Sequence, residues 1–283
     1  AAANAVAYHP HGATSVEDAL ARMAQGFSMR VPLIDPYGSV GVITGDTAAA
    51  ARYWEARLSR EAMELVKEVS EGAVPLGKNF DGELDEPSQL PVRWPTSIIN
   101  GTQGIAVGYA SNMFSHNPDE VMDACRKMLR NPEMTVKQLL KVMPGPDMPT
   151  GGELLEIDGV ESYYSTGVGR FTIRGKYAIE NLARGKVRII FTELPYQVSP
   201  ADIRAKIRDI QATGKLKEIA NVKDLSDKKN GLRLVIETKA GTNHLAVLNS
   251  LFKLTNLEAK FSVNNTVLID GSPVQTSMLD LIR

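Results

Sequence analysis

The sequence is nearly without cysteine: Cys125 stands alone among 283 residues. That excludes a disulfide framework and any zinc site built on several cysteines, and it fits a reducing cytoplasm. A charge excess is missing too. Lys and Arg number 32 against 33 Asp and Glu, a net charge of -1, so a uniformly basic nucleic-acid binder is excluded while a local basic patch is not. No apolar run approaches the roughly 18 residues of a membrane span, and no secretory signal opens the chain. Hydrophobic residues at 43% and charged residues at 23% are ordinary globular proportions, which rules out general disorder. The length suggests one large or two medium domains. The chain starts at Ala1 in an alanine-rich stretch that reads as the tail of a helix, so a fragment of a longer protein is expected.

The stretch around which the rest is organised is Gly45 to Leu58, with Ala48-Ala49-Ala50-Ala51-Arg52-Tyr53 inside it. Four alanines offer little to bury, and they read as clearance for something large approaching the backbone. Arginine's planar fork holds phosphate oxygens in fixed geometry, and tyrosine can form a covalent intermediate. The pair therefore suits a nucleophile brought to a phosphate. An ordinary half-buried tyrosine at the start of a helix fits the same residues.

Upstream, Tyr8-His9-Pro10-His11-Gly12 enforces a tight turn, and Thr14-Ser15-Val16-Glu17 has the form of a capping box. Val16, Ala19, Leu20, Met23 and Ala24 follow at helical spacing up to Gly26. Helix, turn and helix form a framework that presents a helix N-terminus to DNA, and His9 and His11 there can donate to phosphate. As metal ligands the two histidines lack partners. Val31 to Ile43 reads as two short strands around an Asp35-Pro36-Tyr37-Gly38 turn, a wing, with Tyr53 just after it. Ser59 caps a helix to about Ser70, with Ala62, Leu65, Val66 and Val69 inward. Gly72 to Asn79 nearly matches a phosphate loop, but Asn79 replaces the hydroxyl, Pro75 removes a donor and a helix precedes it. We reject that motif. Asp85 to Ser97 is proline-punctuated and reads as an irregular connection.

Ile98 to Gly108 is apolar and glycine-rich, which allows either a buried strand turn or a wedge in which Ile105 enters between bases. Asn117-Pro118-Asp119-Glu120 caps a helix to about Arg130, with Val121, Ala124, Cys125, Met128 and Leu129 inward. Thr135 to Val142 is a short helix. From Glu153 strands dominate, including 171–174, 187–192 and 232–238, with helices at 200–212 and 244–253. Arg170, Arg174, Lys176, Arg184, Lys186 and Arg188 read as one basic patch or as a solvated sheet face. The fold class expected is α+β.

These pieces, taken in order, resemble the DNA breakage-reunion subunit of bacterial type IIA topoisomerases, the A subunit of DNA gyrase or of topoisomerase IV. The resemblance rests on Tyr8 to Gly12, Arg22-Met23-Ala24-Gln25, Ala50-Ala51-Arg52-Tyr53 with Glu55 and Arg57, and Asn100-Gly101 with Gly104 to Gly108. It continues through Pro144-Gly145-Pro146-Asp147, Thr192-Glu193-Leu194-Pro195-Tyr196 and Leu225-Ser226-Asp227, so it covers essentially the whole chain. Departures are Ala13 where Asp or Asn is common, Trp54 where Thr is usual, and Met113-Phe114-Ser115-His116 where Ile-Pro-Pro-His is usual. Gyrase and topoisomerase IV both stay open, as does a non-catalytic winged-helix DNA-binding module on the same scaffold.

The resemblance implies that Tyr53 joins the 5′ phosphate of cleaved DNA, that Arg52 stabilises the transition state, and that His11 and, beside it, His9 lie near the scissile phosphate. Ile105 takes the place of an intercalating isoleucine; Arg170 and Arg174 are expected to contact DNA on the basic-patch reading. Thr14 and Asp18 occupy the positions that anchor quinolone drugs through a magnesium-water bridge, Thr14 also lying at the DNA. A winged-helix domain over 1–97 and a tower domain over 98–283 are implied, without the coiled-coil dimer gate and C-terminal domain. Implied partners are duplex DNA, a topoisomerase B subunit that binds both Mg2+ and ATP within an A2B2 heterotetramer, and a second copy in the full-length homodimer. No metal is expected in this chain, and a cytoplasmic, nucleoid-associated protein without membrane contact is expected.

Overall fold

The computed structural model describes residues 7–155 and 157–283; the alanine-rich stretch read as a helix tail lies, up to residue 6, outside them. The chain divides into two compact units, residues 1–42 with 46–100, and residues 43–45 with 101–283. Helices and antiparallel sheets of both units make the class α+β.

The first unit runs through α1 (Ala13–Ala24), β1 (Ile34–Tyr37), a 3-10 turn (Ala51–Tyr53), β2 (Glu55–Leu58), α2 (Arg60–Val66), β3 (Leu76–Lys78), β4 (Asp85–Pro87) and α3 (Thr96–Asn100). Helix α1 starts one residue after Gly12, which caps it with no side-chain bond. The expected capping box is absent because the helix begins before Thr14; Ser15 Oγ instead donates back to the Gly12 carbonyl at 2.8 Å. In α2 the cap is as expected, Ser59 accepting from the Ala62 amide, and Ala62 and Leu65 are buried. The helix gives way after Val66 to a 3-10 turn, Lys67–Val69.

The expected strand-turn-strand over 31–43 is not formed. Asp35 and Pro36 lie inside β1, which pairs antiparallel with β2 in the register Ile34↔Leu58 to Tyr37↔Glu55. Proline is tolerated there because a two-stranded ribbon has an open edge on which no amide is required. The connection between the strands is residues 38–54, and Tyr53 sits within it. Asn79, rejected as a phosphate ligand, is buried: its Nδ2 donates to the Ala7 carbonyl at 2.8 Å and its Oδ1 accepts from the Leu84 amide at 3.0 Å. Part of the expected irregular connection, Asp85–Pro87, forms β4 against β3.

The second unit opens with β5 (Thr102–Ala106) and β6 (Tyr109–Met113), then α4 (Pro118–Arg130), α5 (Val136–Leu140), β7 (Glu153–Leu154), α6 (Ile157–Thr166) and β8 (Val168–Arg174). It continues through β9 (Tyr177–Asn181), β10 (Val187–Phe191), α7 (Pro200–Ala212), β11 (Ile219–Asp224), β12 (Leu234–Thr238) and α8 (His244–Leu254). The last elements are β13 (Glu258–Asn264), β14 (Thr266–Ile269), β15 (Ser272–Gln275) and α9 (Met278–Ile282). One sheet has the order β5-β6-β13-β8-β7 and another β11-β12-β10-β9.

The four-stranded sheet packs Ile189, Phe191, Leu234 and Ile236 against Ile203 and Ile207 of α7 and Val247, Leu248, Leu251 and Phe252 of α8. Each such side chain contributes about 1.5–3 kcal/mol on full burial. Helix α7 starts where the sequence says, with a Ser199–Asp202 capping box and Pro200 in the first turn. Helix α4 is capped by Asn117, and Val121, Ala124 and Met128 are buried. Two inward expectations fail on this helix: Cys125 is half-buried and Leu129 is 84% exposed, because the buried stripe is narrower than the run of apolar residues.

Candidate nucleophile and phosphate-facing site

The loop that carries Tyr53 is closed by its two ends. Gly38 follows β1 at φ +122, and a Cβ there would lie 2.6 Å from Trp54 Cβ and 2.7 Å from the Tyr53 carbonyl oxygen. Only glycine lets the ribbon's end approach the backbone after the nucleophile candidate this closely. Within the loop, Ala49 N–H donates to the Ser39 carbonyl and Val42 N–H to the Asp46 carbonyl, both at 3.1 Å.

Gln25, at the C-terminal cap of α1, fixes the loop from outside. Its Nε2 donates to the Val40 carbonyl at 2.7 Å while its Oε1 accepts from Ser28 Oγ at 2.6 Å. In the sequence Gln25 is legible as part of a motif, but no local signal marks the contact with Val40, which joins residues 15 apart.

The alanine run ends in the 3-10 turn, closed by Tyr53 N–H donating to the Ala50 carbonyl at 2.8 Å. No residue of that turn is buried, and Tyr53 is 66% exposed. The half-buried alternative therefore fails: the phenol stands in solvent. The Arg52 guanidinium carbon lies 4.7 Å from the centre of the Tyr53 ring, within the range of cation-π attraction. Beside the turn, Arg57 pairs with Asp35 across the ribbon at 2.7 Å. Asp35, Tyr37, Glu55 and Arg57 are among the residues lining an open recess of about 530 Å3 on this ribbon.

His9 and His11 are brought together. The His11 amide donates to the His9 carbonyl at 2.8 Å, a three-residue turn through Pro10, and the two rings lie 4.6 Å apart, tilted 55°. Both are exposed, as are Thr14 and Asp18 on the first turns of α1. Thr14 and Asp18 stand four residues apart, which places them on one helix face.

In the second unit Ile105 sits at the end of the β5–β6 hairpin, beside the turn at Val107-Gly108, and is 95% exposed; Val107 is fully exposed. The buried-strand alternative for this stretch is thereby overturned. Gly101, at φ +71, precedes the hairpin, and any side chain there would strike the Met113 carbonyl.

The six cations read as one patch are divided. Arg170 and Arg174 lie on β8 of the five-stranded sheet, Arg188 on β10 of the four-stranded one. Arg174 Nε donates to Glu258 at 2.8 Å with its guanidinium 4.3 Å from the Phe252 ring centre, Arg188 pairs with Glu237 at 2.9 Å, and Lys176 reaches Glu193 at 3.5 Å. The Arg188 hydrogen bond holds the Glu237 carboxyl below its usual range, with Lys223 adding to it. Arg170 is exposed, with no carboxylate partner among the described residues.

Among the described residues no group of three or more His, Cys, Asp and Glu side chains could hold a metal ion. No described helix is long and apolar enough to cross a membrane.

The sequence profile of the family described as the A subunit of DNA gyrase/topoisomerase IV matches residues 2–283. The chain belongs to this family. Relatives named as the A subunit of DNA gyrase include one from Ureaplasma parvum, 42% identical over 276 residues, covering 98% of this chain and 33% of the relative. Another from Treponema pallidum is 41% identical over 276 residues, 98% of this chain and 34% of the relative. A third, from Halalkalibacterium halodurans, is 42% identical over 266 residues, 94% and 32% respectively. The chain thus spans about a third of the length of these gyrase relatives.

Proposed function

We propose that this protein is the breakage-reunion part of a type IIA DNA topoisomerase, and that Tyr53 is its nucleophile. The observation that carries the reading is the exposed phenol on a pinned 3-10 turn with the Arg52 guanidinium at 4.7 Å from its ring. The phenolic oxygen loses its proton and attacks a backbone phosphorus. A bond forms from Tyr53 to the 5′ phosphate, and the P–O3′ bond breaks. The 3′ oxygen takes up a proton and leaves as a hydroxyl. The number of phosphoester links is unchanged, so the step reverses without added energy and reseals the strand.

Tyrosine ordinarily titrates near pH 10, so neutral-pH attack needs charge stabilisation. Arg52 supplies it where negative charge develops, the kind of interaction that is usually the largest catalytic contribution. His11, with His9 against it, is suited to donate to the phosphate oxygens. Ile105 and Val107, exposed at a hairpin end, suit an apolar wedge that unstacks a base step, and Arg170 and Arg174 are assigned to the DNA backbone. The first unit then corresponds to a winged-helix domain and the second to a tower domain. Thr14 and Asp18 are the candidate quinolone-anchoring pair.

The paired Asp35 and its neighbours do not fit a magnesium cage; on the strength of the family we assign Mg2+ and ATP to the B subunit, and strand passage to an A2B2 assembly in which this subunit is dimeric. The product is DNA of altered supercoiling or linkage. A cleavage assay with a cognate B subunit, magnesium and labelled duplex tests the proposal: Tyr53→Phe abolishes covalent protein-DNA adducts and retains DNA binding. Persistent adducts in that variant would return Tyr53 to the role of a scaffold residue in a non-catalytic DNA-binding module.

A further inference from the structure

We infer that a recess between α4 and α5, on the second unit, takes a backbone phosphate of duplex DNA, a contact additional to those at Tyr53 and Ile105. The inference rests on the proposed DNA-cleaving function and extends it to a surface that the site above does not use. The recess has a volume of about 350 Å3 and is lined by Lys127, Arg130, Asn131, Gln138 and Lys141 over a floor of Met134 and Val142.

Its polar lining offers donors. Lys127 and Arg130 come from the last turn of α4 and Lys141 from the end of α5, so three cations converge from two helices. None of the three has a carboxylate partner among the described residues, whereas the neighbouring Arg126 is held by Asp123 at 2.7 Å. No carboxylate lines the recess; Glu133 is the one acid in 127–142 and is not part of the lining.

Gln138 adds to this character. Its Oε1 is consumed in the capping box, accepting from the Thr135 amide at 2.9 Å, which leaves its NH2 group as the available function. Lysine, arginine and side-chain amides are the groups that contact DNA phosphates. The charge balance of the chain points the same way. Residues 101–283 carry 24 Lys and Arg against 20 Asp and Glu, whereas the first 100 carry 8 against 13.

Cations in the last turn of a helix also offset its dipole, and the experiment must separate the two roles. Binding of a labelled duplex to the purified protein is measured by anisotropy over a salt series, alongside thermal melting, for the wild type and for Lys127→Gln/Arg130→Gln/Lys141→Gln. Each phosphate contact contributes about 0.9 to the slope of log K against log salt, so the variant's slope should be shallower by about one unit. Its affinity at low salt should fall at least tenfold.

A steep wild-type slope with an identical slope in the variant overturns the recess contact and leaves the cleavage reading intact. A lowered melting temperature with an unchanged slope assigns the cations to the helix ends and overturns it as well. A flat wild-type profile removes DNA binding itself, and the recess contact with it. Arg130→Glu serves as a second variant: charge reversal at one position should weaken binding more than Arg130→Gln does.

Discussion

The guanidinium of Arg52 rests on the face of its own neighbour, 4.7 Å from the centre of the Tyr53 ring. Adjacent residues do not face each other in an α-helix, yet here the two side chains lie together. In the proposed reaction the cation is already at the phenol before any phosphate arrives. Arg52→Ala should lower the rate of adduct formation by about 100- to 1,000-fold, the usual cost of removing one charge-stabilising group. Arg52→Lys should recover only part of the rate, because an ammonium lacks the planar fork. Single-turnover cleavage on a labelled duplex measures both.

Asn100 bridges the backbone of Val31 with both halves of its amide, accepting from the Val31 amide at 2.7 Å and donating to its carbonyl at 3.0 Å. It behaves as a strand neighbour made from a side chain. Asn100→Ala leaves both backbone groups without these partners and should destabilise the first unit by about 1–3 kcal/mol. Chemical denaturation followed by tryptophan fluorescence reads this, since Trp54 and Trp94 both lie in that unit.

Ile105 is so exposed that truncation has almost nothing to cost the fold. Ile105→Ala should keep the melting temperature and reduce the bend of bound DNA, measured by energy transfer between duplex ends. An unchanged bend would dismiss the wedge. A lower melting temperature would contradict the exposed hairpin.

Tyr163 and Tyr164 are fully buried, their rings 5.4 Å apart. Burial pushes both phenols above their ordinary range; Asn265 opposes it in part at Tyr163, while Tyr163 and Glu120 add to it at Tyr164. The raised groups stay protonated in the folded chain, while the unfolded chain releases their protons near pH 10. Stability from this source is therefore complete below about pH 10 and falls above it, by about 1.4 kcal/mol per pH unit for each phenol. Tyr163→Phe and Tyr164→Phe should each flatten the alkaline limb of a stability-pH curve and leave the neutral plateau nearly unchanged.

Much of the second unit is readable from sequence because its signals are local. Asn117 with Pro118 starts α4, Ser199 with Pro200 and Asp202 starts α7, and the apolar run 187–191 forms β10. The failures are places where a distant partner decided. Asp35-Pro36 is turn chemistry, yet β2, at the far end of the Tyr53 loop, recruits it into a ribbon. The six basic residues are close in sequence, but Arg170 and Arg174 lie on one sheet, Arg188 on another and Lys176, Arg184 and Lys186 outside the strands, and Glu258 and Glu237 claim two of them. Of the candidate site, Tyr53, Arg52 and the histidine turn were legible as residue types. The Gln25 latch and the closure at Gly38 were not, because nothing in local pattern says which loop a side chain will hold.

Tyr53 carrying the broken DNA is the central claim, and the direct measurement is to find the modified residue. Cleavage complexes formed with the B subunit are trapped, digested with nuclease and trypsin, and sequenced by mass spectrometry. The predicted result is a phosphodeoxynucleotide on the phenol of the peptide Tyr53-Trp54-Glu55-Ala56-Arg57. A nucleotide on another residue, such as exposed Tyr8 or Tyr37, or an unmodified Tyr53 peptide in complexes that do contain broken DNA, would contradict it.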